Sequence, residues 1–208
     1  MNDTTRNPEA SITRSIGDES ERRAARNTLI AWRRSMDAPV RRAADAAIAA
    51  RLEAWLQAWF SARPAAERVV LGAYWPVRGE PDLRESMAGW HRAGHAIALP
   101  RVAAGDGALE YGCWTPAATM RPAAFGIALP EPFVLLAPTL LIVPCVGFDL
   151  RGYRLGYGGG HYDRTLAARA LPAIGVAYDG CELPGFEAAG HDRPMTAIVT
   201  ETRTITRQ

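Results

Sequence analysis

Residues 154–166 read RLGYGGGHYDRTL. Gly156, Gly158, Gly159 and Gly160 stand between Arg154 and Arg164, and Asp163 opens a helix-like run. Such backbone freedom raises the entropy lost on folding, and what it permits is close approach of a ligand to the main chain. The stretch follows a buried-strand pattern by way of GFDLRGYR, where Asp149 to Gly152 can form a tight turn. Strand, turn, glycine loop and helix start, in that order, present backbone N–H groups and a helix N-terminus to an anion. Phosphate is the natural guest, and arginine forks suit its oxygens. Glycine-rich turns are common, however, and Asp163 read alone serves equally as a cap on the helix dipole. All 24 basic residues are arginine. With no lysine, a Walker-type loop is excluded, and a glycine loop this late in the chain fits a dinucleotide fingerprint poorly.

Two further groups stand out by spacing. Arg22 and Arg26 lie one helical turn apart and point to one face, which is either a solvated surface or an anion clamp. Glu80 follows a strand end in WPVRGE, where a carboxylate faces a ligand or closes a surface salt bridge. Tyr157 and Tyr162 can lie against flat rings. Cys113, Cys145 and Cys181 are far apart and odd in number, which reads as reduced core thiols rather than a disulfide or metal set.

The elements that must position these residues are legible in outline. Asp18 and Glu21 have capping-box spacing, and Leu29, Trp32 and Met36 share a helical face, so a first helix is predicted. A second starts with Asp37 as N-cap and Pro39 in its first turn, and its stripe is Ile48, Leu52, Trp55, Leu56 and Trp59. RVVLGAYW is a strand, PDLRESMAGWHRAG a helix and HAIALPRV a strand, which implies a right-handed crossover between parallel strands. LEYGCWTP adds a strand and ALPEPFVLLAPT reads as a proline-rich loop. TLLIVPCVGFD is apolar enough to be buried on both faces. DRTLAARA is helical, AIGVAYD is a strand, and MTAIVTETR is the last strand. The fold class is α/β: a three-layer α/β/α sandwich with a mostly parallel sheet and an N-terminal helical pair, where ligands sit beyond the carboxyl ends of the strands.

Residues 1–17 are expected to be a disordered tail and 18–208 a single domain. The hydrophobic content of 48% and charged content of 22% are those of a soluble globular protein. The chain has no membrane span, its start lacks the apolar core of a signal peptide, and acidic residues there argue against a transit peptide. The cytoplasm is the expected compartment. A net charge of +2 is too small to argue for nucleic acid.

VGFDLRGYRLGYGGGHYDRTL resembles the signature of the 5-formyltetrahydrofolate cyclo-ligase family, also called 5,10-methenyltetrahydrofolate synthetases. The similarity continues in ERRAARNTLIAWRRSM, RVVLGAYWPVRGEPDL, ALPRV, ALPEP and GHDRPMTAIVTE, in order across about residues 20–200. The resemblance implies ATP- and magnesium-dependent closure of 5-formyltetrahydrofolate to 5,10-methenyltetrahydrofolate, with ADP and phosphate released. It implies nucleotide contacts from Arg22, Arg26, Arg154 and the loop Leu155, Gly156, Tyr157, Gly158, Gly159, Gly160, His161 and Tyr162. Arg154 and Asp163 would be catalytic, and Asp163 and Asp192 would hold magnesium, although Asp192 by type alone is a turn residue. Trp75 and Glu80 would contact the folate, together with Tyr157, Gly158, Gly159, Gly160 and His161, with core packing the rival role for Trp75. Small molecules are the implied partners, with neither nucleic acid nor membrane, and a monomer is favoured.

Three positions depart from the family pattern. Arg22 aside, where lysine is usual, Gly159 replaces a frequent lysine, His161 stands where tyrosine or phenylalanine is common, and Thr196 replaces a frequent aspartate. The reaction matches what the residues offer. A formyl oxygen leaves poorly until phosphorylated, so a triphosphate must be held against it, which asks for positioning and charge neutralisation. The rival functions are a sugar-phosphate or CoA-type transferase or isomerase, and a non-catalytic nucleotide or folate binder.

Overall fold

The computed structural model describes Ile12 and residues 15–64, 68–103, 105, 107–190 and 192–206. Helix α1 (Glu19–Ser35) begins where the capping pair predicts. The Asp18 carboxylate accepts the Glu21 N–H at 2.8 Å, and Glu21 reaches back to the Gly17 N–H at 2.7 Å. An N-cap of this kind stabilises a helix by about 1 kcal/mol. Helix α2 (Ala38–Ser61) follows at once, with Asp37 at the N-cap position and no side-chain cap bond. Ile48, Leu52 and Leu56 are fully buried, and Trp55 and Trp59 pack at the margin, stacked on each other.

The expected crossover unit is present as β1 (Val70–Gly72), α3 (Arg84–Arg92) and β2 (Ala96–Val102), with β1 and β2 parallel and Val70 opposite Ala96. Strand β3 (Leu109–Trp114) returns antiparallel to β2. A hairpin of β4 (Thr119–Pro122) and β5 (Ala128–Glu131) corrects the loop expected from residue 128. Its prolines mask the strand signal, and a two-stranded ribbon tolerates them because each strand has a free edge. Strand β6 (Leu140–Pro144) is central, and the chain then leaves the sheet for a short ribbon of β7 (Gly147–Phe148) and β8 (Arg154–Leu155). The apolar run expected as one strand is thus divided after Pro144. Helix α4 (His161–Ala168), β9 (Ala173–Val176), β10 (Ala197–Val199) and β11 (Thr204–Thr206) complete the order. The strand expected over 195–203 ends at Val199. There the Thr200 N–H donates to the Arg203 carbonyl at 2.9 Å, and β11 turns back antiparallel.

The main sheet runs β11-β10-β9-β6-β1-β2-β3, parallel from β10 through β2 with one antiparallel strand at each edge. Every residue of β1, β6, β9 and β10 is buried. Successive strand residues face opposite sides, so burial at each position means that helices and loops cover both faces. The expected α/β architecture with its N-terminal helical pair is what forms. Strand β1 has β2 on one side and β6 on the other, so the connections diverge at its carboxyl end, which opens a crevice.

Most of the tail expected over residues 1–17 lies outside the described residues. Ile16 is buried, its N–H donates to the Gly185 carbonyl at 3.0 Å, and it bridges Phe186, so structure begins before residue 17. Among the described residues no helix is long and apolar enough to cross a membrane.

Candidate active site

A cavity of about 470 Å³ opens at that crevice. Tyr74 and Trp75 beyond β1, Pro100 and Val102 of β2, and Pro144 of β6 form its base. The glycine loop, residues 156–160, and the start of α4 form one wall. All the candidates expected from the sequence lie on this lining: Arg22, Arg26, Trp75, Glu80, Arg154, Leu155, Gly156, Tyr157, Gly158, Gly159, Gly160, His161, Tyr162, Asp163 and Asp192.

The loop conformation explains its composition. Gly158 and Gly160 have φ of 92° and 63°, in the left-handed region that side chains rarely occupy. Gly160 is the N-cap of α4, so the backbone enters the helix directly from this turn. At Gly159 the restriction is steric, since a Cβ there would lie 2.8 Å from the His161 ring. The two unusual residues of the loop therefore fit one another: the imidazole fills the space a side chain at 159 would need. Arg164 donates to the His161 Nδ1 at 3.0 Å and to the Gly159 carbonyl at 2.6 Å. An arginine cannot accept, so Nδ1 is the acceptor and the ring proton sits on Nε2.

Helix α1 brings its arginines to the loop. Arg26 Nε donates to the Gly156 carbonyl at 2.8 Å, its guanidinium lies over Gly158, and Glu19 pairs with it at 2.6 Å. That hydrogen bond holds the Glu19 carboxyl below the usual range, and burial opposes it only in part. Arg22 donates to the Glu187 carbonyl, lies 3.9 Å from the Asp192 carboxylate, and sits over the Phe186 ring. Arg154, almost fully buried, donates to Asp163 at 2.7 Å and to the Arg193 carbonyl at 2.9 Å. Asp163 also accepts the Arg193 N–H at 3.2 Å, and Asp192, one residue earlier, accepts the Ala189 N–H at 2.8 Å. The two carboxylates are thus tied through adjacent residues of one loop.

The same lining holds a second polar group. Glu80 is 5% exposed; its Oε1 accepts the Tyr157 hydroxyl at 2.6 Å and its Oε2 the Val77 N–H at 2.8 Å. Burial pushes this carboxyl up, and the Tyr157 bond partly offsets it. Burial and the facing carboxylate push the Tyr157 hydroxyl up in turn, so it remains a donor. Arg33, from α1, reaches the same pair. It is a functional candidate the sequence reading missed, although an arginine between Leu29 and Met36 on an apolar face was its visible signal. Arg78 lines the cavity from a left-handed backbone, φ 51°, with its guanidinium over the Tyr157 ring. Trp75 lines the cavity and also packs against the core. Thr196, exposed, accepts the Ala173 N–H at 3.3 Å between the ends of β9 and β10 and is not on the lining.

Asp163 and Asp192 offer hard oxygen donors, which suit magnesium, and two carboxylates are the usual protein share for an ion that keeps waters and phosphate oxygens. Among the described residues no three His, Cys, Asp or Glu side chains form a closed metal cage. The donor set therefore fits an ion that arrives with a phosphate rather than a structural metal. The three cysteines are free; Cys145 and Cys181 are buried, and burial pushes both thiols up to about 12, so neither is a nucleophile.

A switch-point crevice walled by a glycine turn and lined by arginines and a buried carboxylate defines an α/β enzyme that handles phosphate beside a second substrate. Comparison with known proteins makes the class specific. Residues 18–201 match the 5-formyltetrahydrofolate cyclo-ligase family, and the chain belongs to it. A 5-formyltetrahydrofolate cyclo-ligase from Mycolicibacterium smegmatis is 36% identical over 162 residues, covering 72% of this chain and 82% of the relative. The solved 5,10-methenyltetrahydrofolate synthetase of Aquifex aeolicus superposes with a TM-score of 0.70 at 26% identity, over 89% of this chain and 92% of that one. That of Mycoplasma pneumoniae shares the fold, with a TM-score of 0.68 at 21% identity, over 86% and 98% of the two chains.

Proposed function

We propose that this protein closes 5-formyltetrahydrofolate to 5,10-methenyltetrahydrofolate at the expense of ATP. One observation carries the reading: a single cavity presents the glycine loop with Arg22, Arg26 and Arg154, and the same lining holds the buried Glu80 carboxylate on the hydroxyl of the loop's Tyr157. Arg26 and Arg22 bind and orient the triphosphate along the loop, and Arg154 places charge where the transferring group gains it. Asp163 holds Arg154 in that pose. Asp163 and Asp192 would hold magnesium, which when bound supplies charge neutralisation to the phosphates.

Glu80 accepts hydrogen bonds from the pterin ring and Trp75 lies beside it, which fixes the formyl group toward the loop. The formyl oxygen attacks the terminal phosphorus and ADP leaves. N10 then adds to the formyl carbon, the C–O bond breaks, and the departing phosphate carries away the N10 proton. This sequence of steps runs without a covalent enzyme adduct, in keeping with a loop that contains neither cysteine, serine nor lysine. The free cysteines are in keeping with the cytoplasm.

Mixing the protein with 5-formyltetrahydrofolate and MgATP tests this directly. The near-ultraviolet absorbance of the methenyl product should grow in step with ADP release and vanish when magnesium is chelated. ATP turnover with the folate intact would overturn the reading.

A further inference from the structure

We infer that Arg33 is the positioning residue of the folate side, locking Glu80 and Tyr157 into one unit through a buried guanidinium fork. The inference rests on the cyclo-ligase reading above. Arg33 leaves α1 on the apolar face and its side chain is 1% exposed. Its Nε donates to the Arg78 carbonyl at 2.9 Å, one Nη to the Cys145 carbonyl at 3.4 Å, and the other to the Tyr157 hydroxyl. Tyr157 passes the chain on to Glu80 Oε1, which lies 3.9 Å from the same Nη.

Each partner comes from a different segment: the turn after β1, the end of β6 and the glycine loop. The turn itself is unusual, with Arg78 and Gly79 both left-handed at φ 51° and 75°. Arg33 holds it by the bond to the Arg78 carbonyl, and its own carbonyl would lie 3.2 Å from a Cβ at Gly79. Without the fork, that turn keeps the Val77–Glu80 bonds but loses its tie to α1, and the Tyr157 hydroxyl loses the donor that aims it at Glu80.

Stability alone gives a weak reason to bury such a charge, since a well-packed apolar residue generally serves as well or better. Orientation gives a strong one, because a planar guanidinium fixes several acceptors at once while an ammonium is a point donor. The contacts also separate the two half-sites. Arg33 acts on Tyr157 and Glu80, whereas Arg26, earlier on the same helix, acts on Gly156. Loss of Arg33 should therefore fall on the folate and spare the nucleotide.

The test compares wild type, Arg33→Lys, Arg33→Met, Glu80→Gln and the Arg33→Met/Glu80→Gln double variant. Initial rates are taken against each substrate, with circular dichroism as the check on folding. Arg33→Lys should raise the KM for 5-formyltetrahydrofolate about tenfold and leave that for ATP within about twofold. The double variant should be no worse than Glu80→Gln alone, because residues acting through one another are not additive. An unchanged folate KM, equal rises in both KM values, or additive losses would overturn the inference. Should Arg33→Met fail to fold around an unpaired Glu80, the lysine and double variants carry the comparison. If none of the three folds, Arg33 belongs to the frame alone and the inference falls. A wild type that forms no methenyl product overturns the functional reading and the inference with it; an active wild type with an indifferent Arg33→Lys overturns only the inference.

Discussion

Asp163, in the first turn of α4, is gripped by Arg154 of β8, whose guanidinium donates to its Oδ1 at 2.7 Å. Both side chains are largely withdrawn from solvent. Asp163→Ala should lower kcat by about 100-fold or more, the scale for removing one preorganised electrostatic group. The accompanying loss of stability should be no more than about 1–2 kcal/mol, because Arg154 keeps its bond to the Arg193 carbonyl. Steady-state rates beside thermal melts check it; a melt that collapses in parallel with activity would assign the pair to the frame.

Gly159 and His161 share one space, so their substitutions should not be independent. Gly159→Ala should weaken ATP binding about fivefold, by driving the imidazole from its seat on Arg164. Adding His161→Ala should recover part of that loss. The comparison of the two single variants and the double in ATP titrations measures the coupling, and strictly additive effects would disprove the shared space.

Glu80 titrates above the ordinary carboxylate range because burial disfavours its charge. Under the proposed function its anionic form accepts from the pterin ring, so folate affinity should fall as pH drops from neutral toward that raised value. The decline should begin at higher pH than an exposed glutamate would give. Affinity measured across that range in Glu80→Gln should be weaker and flat.

Asp45 supplies a test of stability away from the cavity. It accepts the Tyr178 hydroxyl at 2.6 Å, and burial raises its pKa. The folded state therefore holds the proton more tightly than the unfolded one. The contribution is fully present below the unfolded pKa and is lost as pH rises through the folded value. Asp45→Asn removes this titration, so denaturant midpoints should shift in favour of the variant as pH rises from about 3 to about 6. A gap between the two proteins that is constant with pH would contradict the raised value.

What could be read without coordinates was what is local. The Asp18 cap forms with a residue three positions away, and the loop announces itself by glycines whose positive φ no other residue adopts readily. The position of Asp192 beside Arg22 depends on a chain reversal far along the sequence, and only the family resemblance pointed to it. Arg33 escaped because its partners lie 45, 112 and 124 residues away, and its place on the apolar face of α1, the one local sign, does not say what the guanidinium would meet. The β4–β5 hairpin escaped for the opposite reason: its prolines advertise a loop, and only pairing with the neighbouring strand outweighs them.

Arg26 and Arg33 are carried on the same uninterrupted helix, seven residues apart. At about 1.5 Å of rise per residue, their Cα atoms are separated by roughly 10 Å along a stiff rod. Under the proposed function that rod works as a gauge, setting how far the nucleotide proposed on Arg26 stands from the folate proposed beside the Arg33 fork. One residue inserted between them would turn the second arginine by about 100° around the axis, so Arg26 could keep Gly156 only while the fork lost Tyr157.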